Sequence, residues 1–362
     1  AHIVALEGRP IGLRFQHSNN FKLLGNGGGG DYGINISNSG GFFLSMQTYT
    51  TDFLVANVEI HGVDGNPGFA GIGVKTSPYE DCEVFADPTK TAWVMRNVVL
   101  RNNYVHDVGG EGFYIGHGFY SGRIEKGCTE ITYPHSIKGL RVFDNLIENV
   151  GLDGIQVKNA DEDVEVYNNV INGYATEGLG AHDEGIYIGD GATGKYHHNT
   201  VINGGTGINI KGLGNIDVYN NVVLESRGYS FVVAGSAYNT RFDDGYFNIF
   251  NNTFHNTGEY AFAFFDPAGG AKRLKNNIII AINDPKLGRK GVAVDSTNNI
   301  IVSDPAFLQF ADFSSYDVTL LSNSPALDEG ADLSDFGIVD DRSGTDRPQG
   351  VAYDIGAFEA KQ

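Results

Sequence analysis

A short phrase returns along this chain and restricts the fold more than any other feature. It reads Asp31-Tyr32-Gly33-Ile34-Asn35-Ile36, then Gly71-Ile72-Gly73-Val74-Lys75 and Glu111-Gly112-Phe113-Tyr114-Ile115-Gly116. It continues as Asp153-Gly154-Ile155-Gln156-Val157-Lys158, Glu184-Gly185-Ile186-Tyr187-Ile188-Gly189 and Thr206-Gly207-Ile208-Asn209-Ile210-Lys211. Apolar residues two apart make each copy a short strand with one buried face. Repetition in phase predicts a solenoid.

A second phrase runs out of step with the first. Asn103, Asn145, Asn169, Asn199, Asn221, Asn252 and Asn277 each precede a pair of strand-forming residues, at intervals of 42, 24, 30, 22, 31 and 25. The shortest interval suits one coil of three short strands and three turns; the others are that coil plus loops. A buried Asn at one corner of every coil can bond the backbone above and below, so a ladder of stacked amides is expected. The expectation is all-β: a right-handed parallel β-helix of roughly ten coils at about 4.8 Å each.

Fifty Gly suit a chain that turns every few residues. A net charge of −19 argues against nucleic acid and anionic membranes as partners. No apolar run is long enough to insert in a membrane. The chain opens in strand-like sequence without a signal peptide, which reads as a mature or trimmed form. The two cysteines, Cys82 and Cys128, lie in long insertions (77–91 and 117–136) that leave successive first-phrase strands. A Cys82–Cys128 disulfide is expected, and with it a secreted protein, extracellular or periplasmic.

The repeats fade near Ser303, which divides the reading into a β-helix domain (1–302) and a C-terminal capping segment of the same domain (303–362). The tail contains Ser324-Pro325-Ala326-Leu327-Asp328-Glu329-Gly330, then Asp346-Arg347-Pro348-Gln349-Gly350, and closes on Asp354-Ile355-Gly356-Ala357-Phe358-Glu359. This resembles the tail of secreted bacterial right-handed β-helix repeat proteins of the pectin-lyase-like type, many from carbohydrate-degrading bacteria. The resemblance implies a fold and a habitat rather than a reaction. The tail is expected to cover the last coil, with its acids structural or on the surface.

The outward face of the first-phrase strands is where chemistry is expected. Its central column reads Asn35, Gly73, Tyr114, Gln156, Tyr187, Asn209, and the next reads Ser37, Lys75, Gly116, Lys158, Gly189, Lys211. The preceding turns add Glu111, Asp153, His182, Asp183 and Glu184. Aromatic faces beside amides and acids suit sugar rings, so a polysaccharide or oligosaccharide is the expected partner of a monomer. A lone Asp before Gly serves turns equally well. The crowding of His182, Asp183 and Glu184 is harder to assign to a turn.

Two mechanisms fit. Asp153, Asp183 and Glu184, assisted by His182, can hydrolyse a glycosidic bond. The words Leu152-Asp153-Gly154, His182-Asp183-Glu184 and Asn209-Ile210-Lys211 resemble, in order, elements of polygalacturonase-type hydrolases. The resemblance is incomplete: Asn209 stands where their Arg belongs, and Gly116-His117-Gly118 comes too early. The alternative is β-elimination on a uronate-containing glycan, with Lys158, Lys211, His182 or Tyr187 as base and Arg227 or His117 as helper. Neither route requires a cofactor, although Asp183, Glu184 and Asp190 can hold calcium. Zinc is not expected, because adjacent His197 and His198 in a strand point to opposite faces and no His/Cys group has ligand spacing. The rival class is a glycan-binding or cell-surface β-helix protein without catalysis. Hydrolysis is slightly favoured.

Overall fold

The computed structural model describes residues 1–4, 11–26, 31–37, 40–75, 92–124, 128–235, 241–258, 260–282 and 292–361. Among these residues three parallel sheets, A, B and C, of 11, 9 and 10 strands, run along the solenoid. Each coil visits them in a fixed order, as in Ser136–Phe143 (C), Leu146–Glu148 (A) and Ile155–Val157 (B). The described helical turns are three short 3-10 segments in the tail. The all-β solenoid reading therefore holds.

Alternation builds the bore. Ile72, Phe113, Ile155, Ile186, Ile208, Phe231 and Phe262 stand in register through sheet B, and all are 0% exposed. Each such side chain contributes about 1.5–3 kcal/mol of burial. The residues between them, such as Gln156, face outward on sheet B.

The corner between sheets C and A carries the expected ladder. Each Oδ1 accepts from the main-chain and side-chain amides of the Asn one coil earlier, as Asn145 does from Asn103 at 3.0 Å for both bonds. The series runs through Asn277 and gains a further rung, Asn299. The residue before each rung is left-handed, with φ of 53° at Asn102, 54° at Asn168 and 52° at Asn220. Asn and Asp tolerate that conformation better than most residues.

His198 occupies one of these corners at φ 56°, and this overturns the expectation that it diverges from His197. The left-handed residue breaks strand alternation, so the two Nδ1 atoms meet at 2.6 Å. A second correction concerns the first repeat. Ile34–Ser37 pairs with Val58–His61 in sheet A, whereas Phe42–Gln47 is the sheet B strand of that coil. Asn35 and Ser37 therefore lie off the expected face; Asn35 donates instead to Glu59 at 2.7 Å.

The tail runs along the flank of the solenoid rather than only over its end. Leu308, Phe310, Val318, Ile355 and Ala357 pack on outward apolar residues of sheet A, including Ile202, Leu224 and Ile280. Five successive corners bond it: His198 to Asp341 O, Asn220 to Asp340 O, Asn251 to Asp354 O, Asn276 to Ala331 O and Asn298 to Glu329 O. Three tail acids, Glu359, Asp354 and Asp341, are structural. Glu359 pairs with buried Arg347 at 2.8 Å, while Asp354 and Asp341 accept main-chain amides. Cys82 and the 76–91 insertion fall outside the described residues, and with them the expected bond to Cys128.

Candidate functional site

The outward column of sheet B reads, in register, Ser45, Gly73, Tyr114, Gln156, Tyr187, Asn209. Two glycines make room for long neighbours. At Gly73 an added Cβ would meet the Phe42 ring at 2.6 Å, and at Gly189 it would meet the Lys158 side chain at 2.5 Å. Phe42 packs edge-on to Tyr114, with Lys75 Nζ 4.5 Å from the Tyr114 ring centre. Lys158 and Lys211 stand 4.8 and 5.4 Å from the centre of the Tyr187 ring. These cation–π contacts hold the ammonium groups over the face.

The turns entering sheet B stack a second column. Gly112 N donates to Asp153 O and Gly154 N to Glu184 O, both at 2.9 Å, which places Glu111, Asp153 and Glu184 on three successive coils. Their exposures are 1%, 0% and 5%, far lower than carboxylates ordinarily show. Glu184 is tightly positioned: Asn209 Nδ2 donates to its Oε1 at 2.7 Å, Asp183 N to its Oε2 at 3.0 Å, and its own N–H to Asp153 Oδ1 at 3.1 Å. His182, with 41% of its side chain exposed, leans over the first two acids, Nδ1 lying 3.6 Å from Asp153 Oδ2 and 3.9 Å from Glu111 Oε1. Those contacts are too long for hydrogen bonds. Glu111 Oε2, Asp153 Oδ2, both Gln156 amide atoms and Asn209 Oδ1 are buried without a hydrogen-bond partner.

The electrostatics follow from burial. Burial and the Asp153 charge push the Glu184 carboxyl up to about 8. Burial and Glu184 push Asp183, which is only half-buried, up to about 6. Burial raises Glu111, while facing Asp153 holds His182 above its usual range. Burial lowers Lys158 against the pull of Asp153 and Glu111, and it raises Tyr114. His117 falls to about 3 through burial and the Lys75 charge.

The profile of the family described as "Right handed beta helix region" matches residues 12–223 and 131–307. The chain belongs to this family. No curated protein matches it. Among solved structures, it is similar to one titled "The complex structure of XylC with xylose", at 13% identity and a TM-score of 0.46. That match covers 91% of this chain, which spans 65% of the other.

Within this right-handed β-helix, Glu111, Tyr114, Asp153, Gln156, Lys158, His182, Asp183, Glu184, Tyr187, Asn209 and Lys211 all belong to the sheet B strands or the turns entering and leaving them. His117 borders them, its carbonyl accepting from Asn159 Nδ2. Arg227 is exposed at the corner beyond Asp183, where it donates to Ala175 O at 3.2 Å. The set expected to hold calcium is not the one that converges. The described His and carboxylate ligands that come together are Glu111, Asp153 and His182. Asp190 lies beyond the sheet B strand, its carbonyl accepting from Asn159 N.

The sequence reading missed Phe42, because the sheet A repeat at Gly33-Ile34 had taken its place in the alignment. It also missed Arg241, which binds Asp266 at 2.7 Å and the carbonyls of Ile210 and Gly212 on either side of Lys211. Arg241 lies outside both repeat phrases, so no sequence signal marked it.

Proposed function

We propose that the protein is a secreted carbohydrate-active enzyme that hydrolyses glycosidic bonds on the outward face of sheet B. The observation that carries this reading is the line of buried, unpartnered polar atoms from Glu111 to Asn209, flanked by Tyr114 and Tyr187. Leaving such atoms unpaired costs about 1–3 kcal/mol each, and sugar hydroxyls can satisfy them while the rings pack against the tyrosines. Glu184, held by two hydrogen bonds, protonates the leaving oxygen. Half-buried Asp183 is the carboxylate that water can reach; it takes a proton from the water that attacks the anomeric carbon.

One observation favours elimination instead. Lys158, lowered by burial and lying over Tyr187, has the character of a base for the proton beside a uronate carboxylate. A polysaccharide panel read for reducing ends and for ultraviolet absorbance of unsaturated uronate separates the two. Hydrolysis predicts reducing ends without absorbance, abolished in Glu184→Gln and Asp183→Asn. Absorbance lost in Lys158→Met establishes elimination. Silence in both channels, with retention on a glycan affinity gel, refutes the enzyme and supports a binding protein.

A further inference from the structure

Glu111, Asp153 and His182 come from three successive coils, 42 and 29 residues apart, so no linear motif announces them. Their nearest ligand atoms all lie within 4.8 Å of one another. The two carboxylates are 1% and 0% exposed, and Glu111 Oε2, Asp153 Oδ2 and His182 Nδ1 have no hydrogen-bond partner. A carboxylate buried in this way costs several kcal/mol unless a cation compensates it; Asp153 receives one amide, from Glu184 N at 3.1 Å, and part-exposed His182 faces both acids from 3.6 and 3.9 Å without a hydrogen bond. Lys158 does not fill the gap by contact, since its Nζ lies over the Tyr187 ring.

The spacing fits an ion between the three side chains. Ligand atoms at about 2.0–2.3 Å from a metal stand roughly 3–4.5 Å from each other. The observed 3.6 and 3.9 Å fall inside that range. The donor set narrows the choice. Calcium and magnesium take oxygen ligands, six or more for calcium, whereas an imidazole among carboxylates suits first-row transition ions.

We infer that Glu111, Asp153 and His182 bind one divalent transition-metal ion of the zinc or manganese class. Three protein ligands leave at least one coordination position for water or a sugar hydroxyl. The ion neutralises the lower end of the acid column and leaves Glu184 and Asp183 outside the ligand set. The inference shares the orphaned Glu111 and Asp153 oxygens with the proposed reaction but takes no step of its argument from that reaction.

The test is direct titration of chelator-stripped full-length protein with Zn²⁺, Mn²⁺ and Ca²⁺, followed by calorimetry and metal analysis. One equivalent of Zn²⁺ or Mn²⁺ per chain is expected, with calcium weaker. Affinity should fall by more than about 100-fold in His182→Ala and Asp153→Asn and stay unchanged in His106→Ala, on another face of the solenoid. His182 is part-exposed in a turn, so His182→Ala keeps the test informative if Asp153→Asn fails to fold. The visible spectrum of the Co²⁺ form reports nitrogen–oxygen ligation without any variant. No stoichiometric binding, binding indifferent to His182→Ala, or calcium preferred over both transition ions would each overturn the inference. None of these outcomes involves a sugar, so they leave the proposed reaction to its own test.

Discussion

Replacing Asn221 by Ala tests how the ladder stabilises the solenoid. Its Nδ2 shares two protons among Tyr196 O at 2.9 Å, Tyr219 O at 3.0 Å and Asn252 Oδ1 at 2.9 Å, while its Oδ1 accepts from Asn199 N at 2.9 Å and Asn199 Nδ2 at 3.0 Å. The residue is 0% exposed, so water cannot replace what is lost. With two protons donated and two bonds accepted at about 1 kcal/mol each, Asn221→Ala should cost about 4 kcal/mol, with the orphaned carbonyls and amides adding to it. Asn299 supplies the control. It has the same set of partners, three acceptors around its Nδ2 and two donors to its Oδ1, but at a part-exposed end rung. Water can take over there, and Asn299→Ala should cost only about 1–2 kcal/mol. Equilibrium urea unfolding of the two variants beside the parent measures both. Equal losses, or less than about 1 kcal/mol for Asn221→Ala, would refute the claim that burial rather than bond number sets the ladder's contribution.

Three further outcomes are expected. Glu359→Gln leaves the fully buried Arg347 guanidinium without its counter-charge and should cost about 3–5 kcal/mol in urea unfolding; a loss under 1 kcal/mol would contradict that reading. His198, held down to about 4 by burial and by His197, faces Asp340, Asp341, Arg342 and Asn220. The unfolded chain takes up this proton first, so its contribution is present above about pH 6.5 and lost as pH falls toward 4, by about 3 kcal/mol. Unfolding at pH 7 and 4.5 should show His198→Asn, which suits the left-handed corner, losing less on acidification than the parent; equal losses would sink the assignment. Tyr187→Ala removes the ring beneath Lys158 and Lys211 and should lower kcat/KM on the active polysaccharide by about tenfold or more, whereas Tyr187→Phe retains most of it. Equal effects of the two substitutions would place the function in the hydroxyl instead.

The coil period made the fold readable, because strand alternation and corner Asn residues recur whether or not loops intervene. The site was legible to the extent that it sits on strands. Tyr114, Gln156, Tyr187 and Asn209 follow from counting by two, and Asp153 and Glu184 from the turn before each strand. Alternation separates inward from outward but does not say which of three sheets a strand joins, and so Asn35 was assigned to the wrong face and Phe42 overlooked. The pairing of His197 with His198 was hidden because one left-handed residue reverses a direction that strand geometry would fix. The lateral course of the tail depends on contacts 31 to 143 residues apart. The only local sign was outward apolar residues such as Ile202 and Leu224, which have no reason to face water.

A solenoid couples each coil only to its neighbours, so its free end can fray one turn at a time. The tail changes that here. It is bonded to five successive corners, from His198 to Asn298, and it is itself knit together around Arg347. Peeling off the last coil therefore means lifting a splint that also grips coils well inside the rod. The coils gripped by the tail should open as one cooperative block, with amide protons of the described strands from Thr200–Gly204 to Ile300–Val302 exchanging together rather than in a gradient from the end.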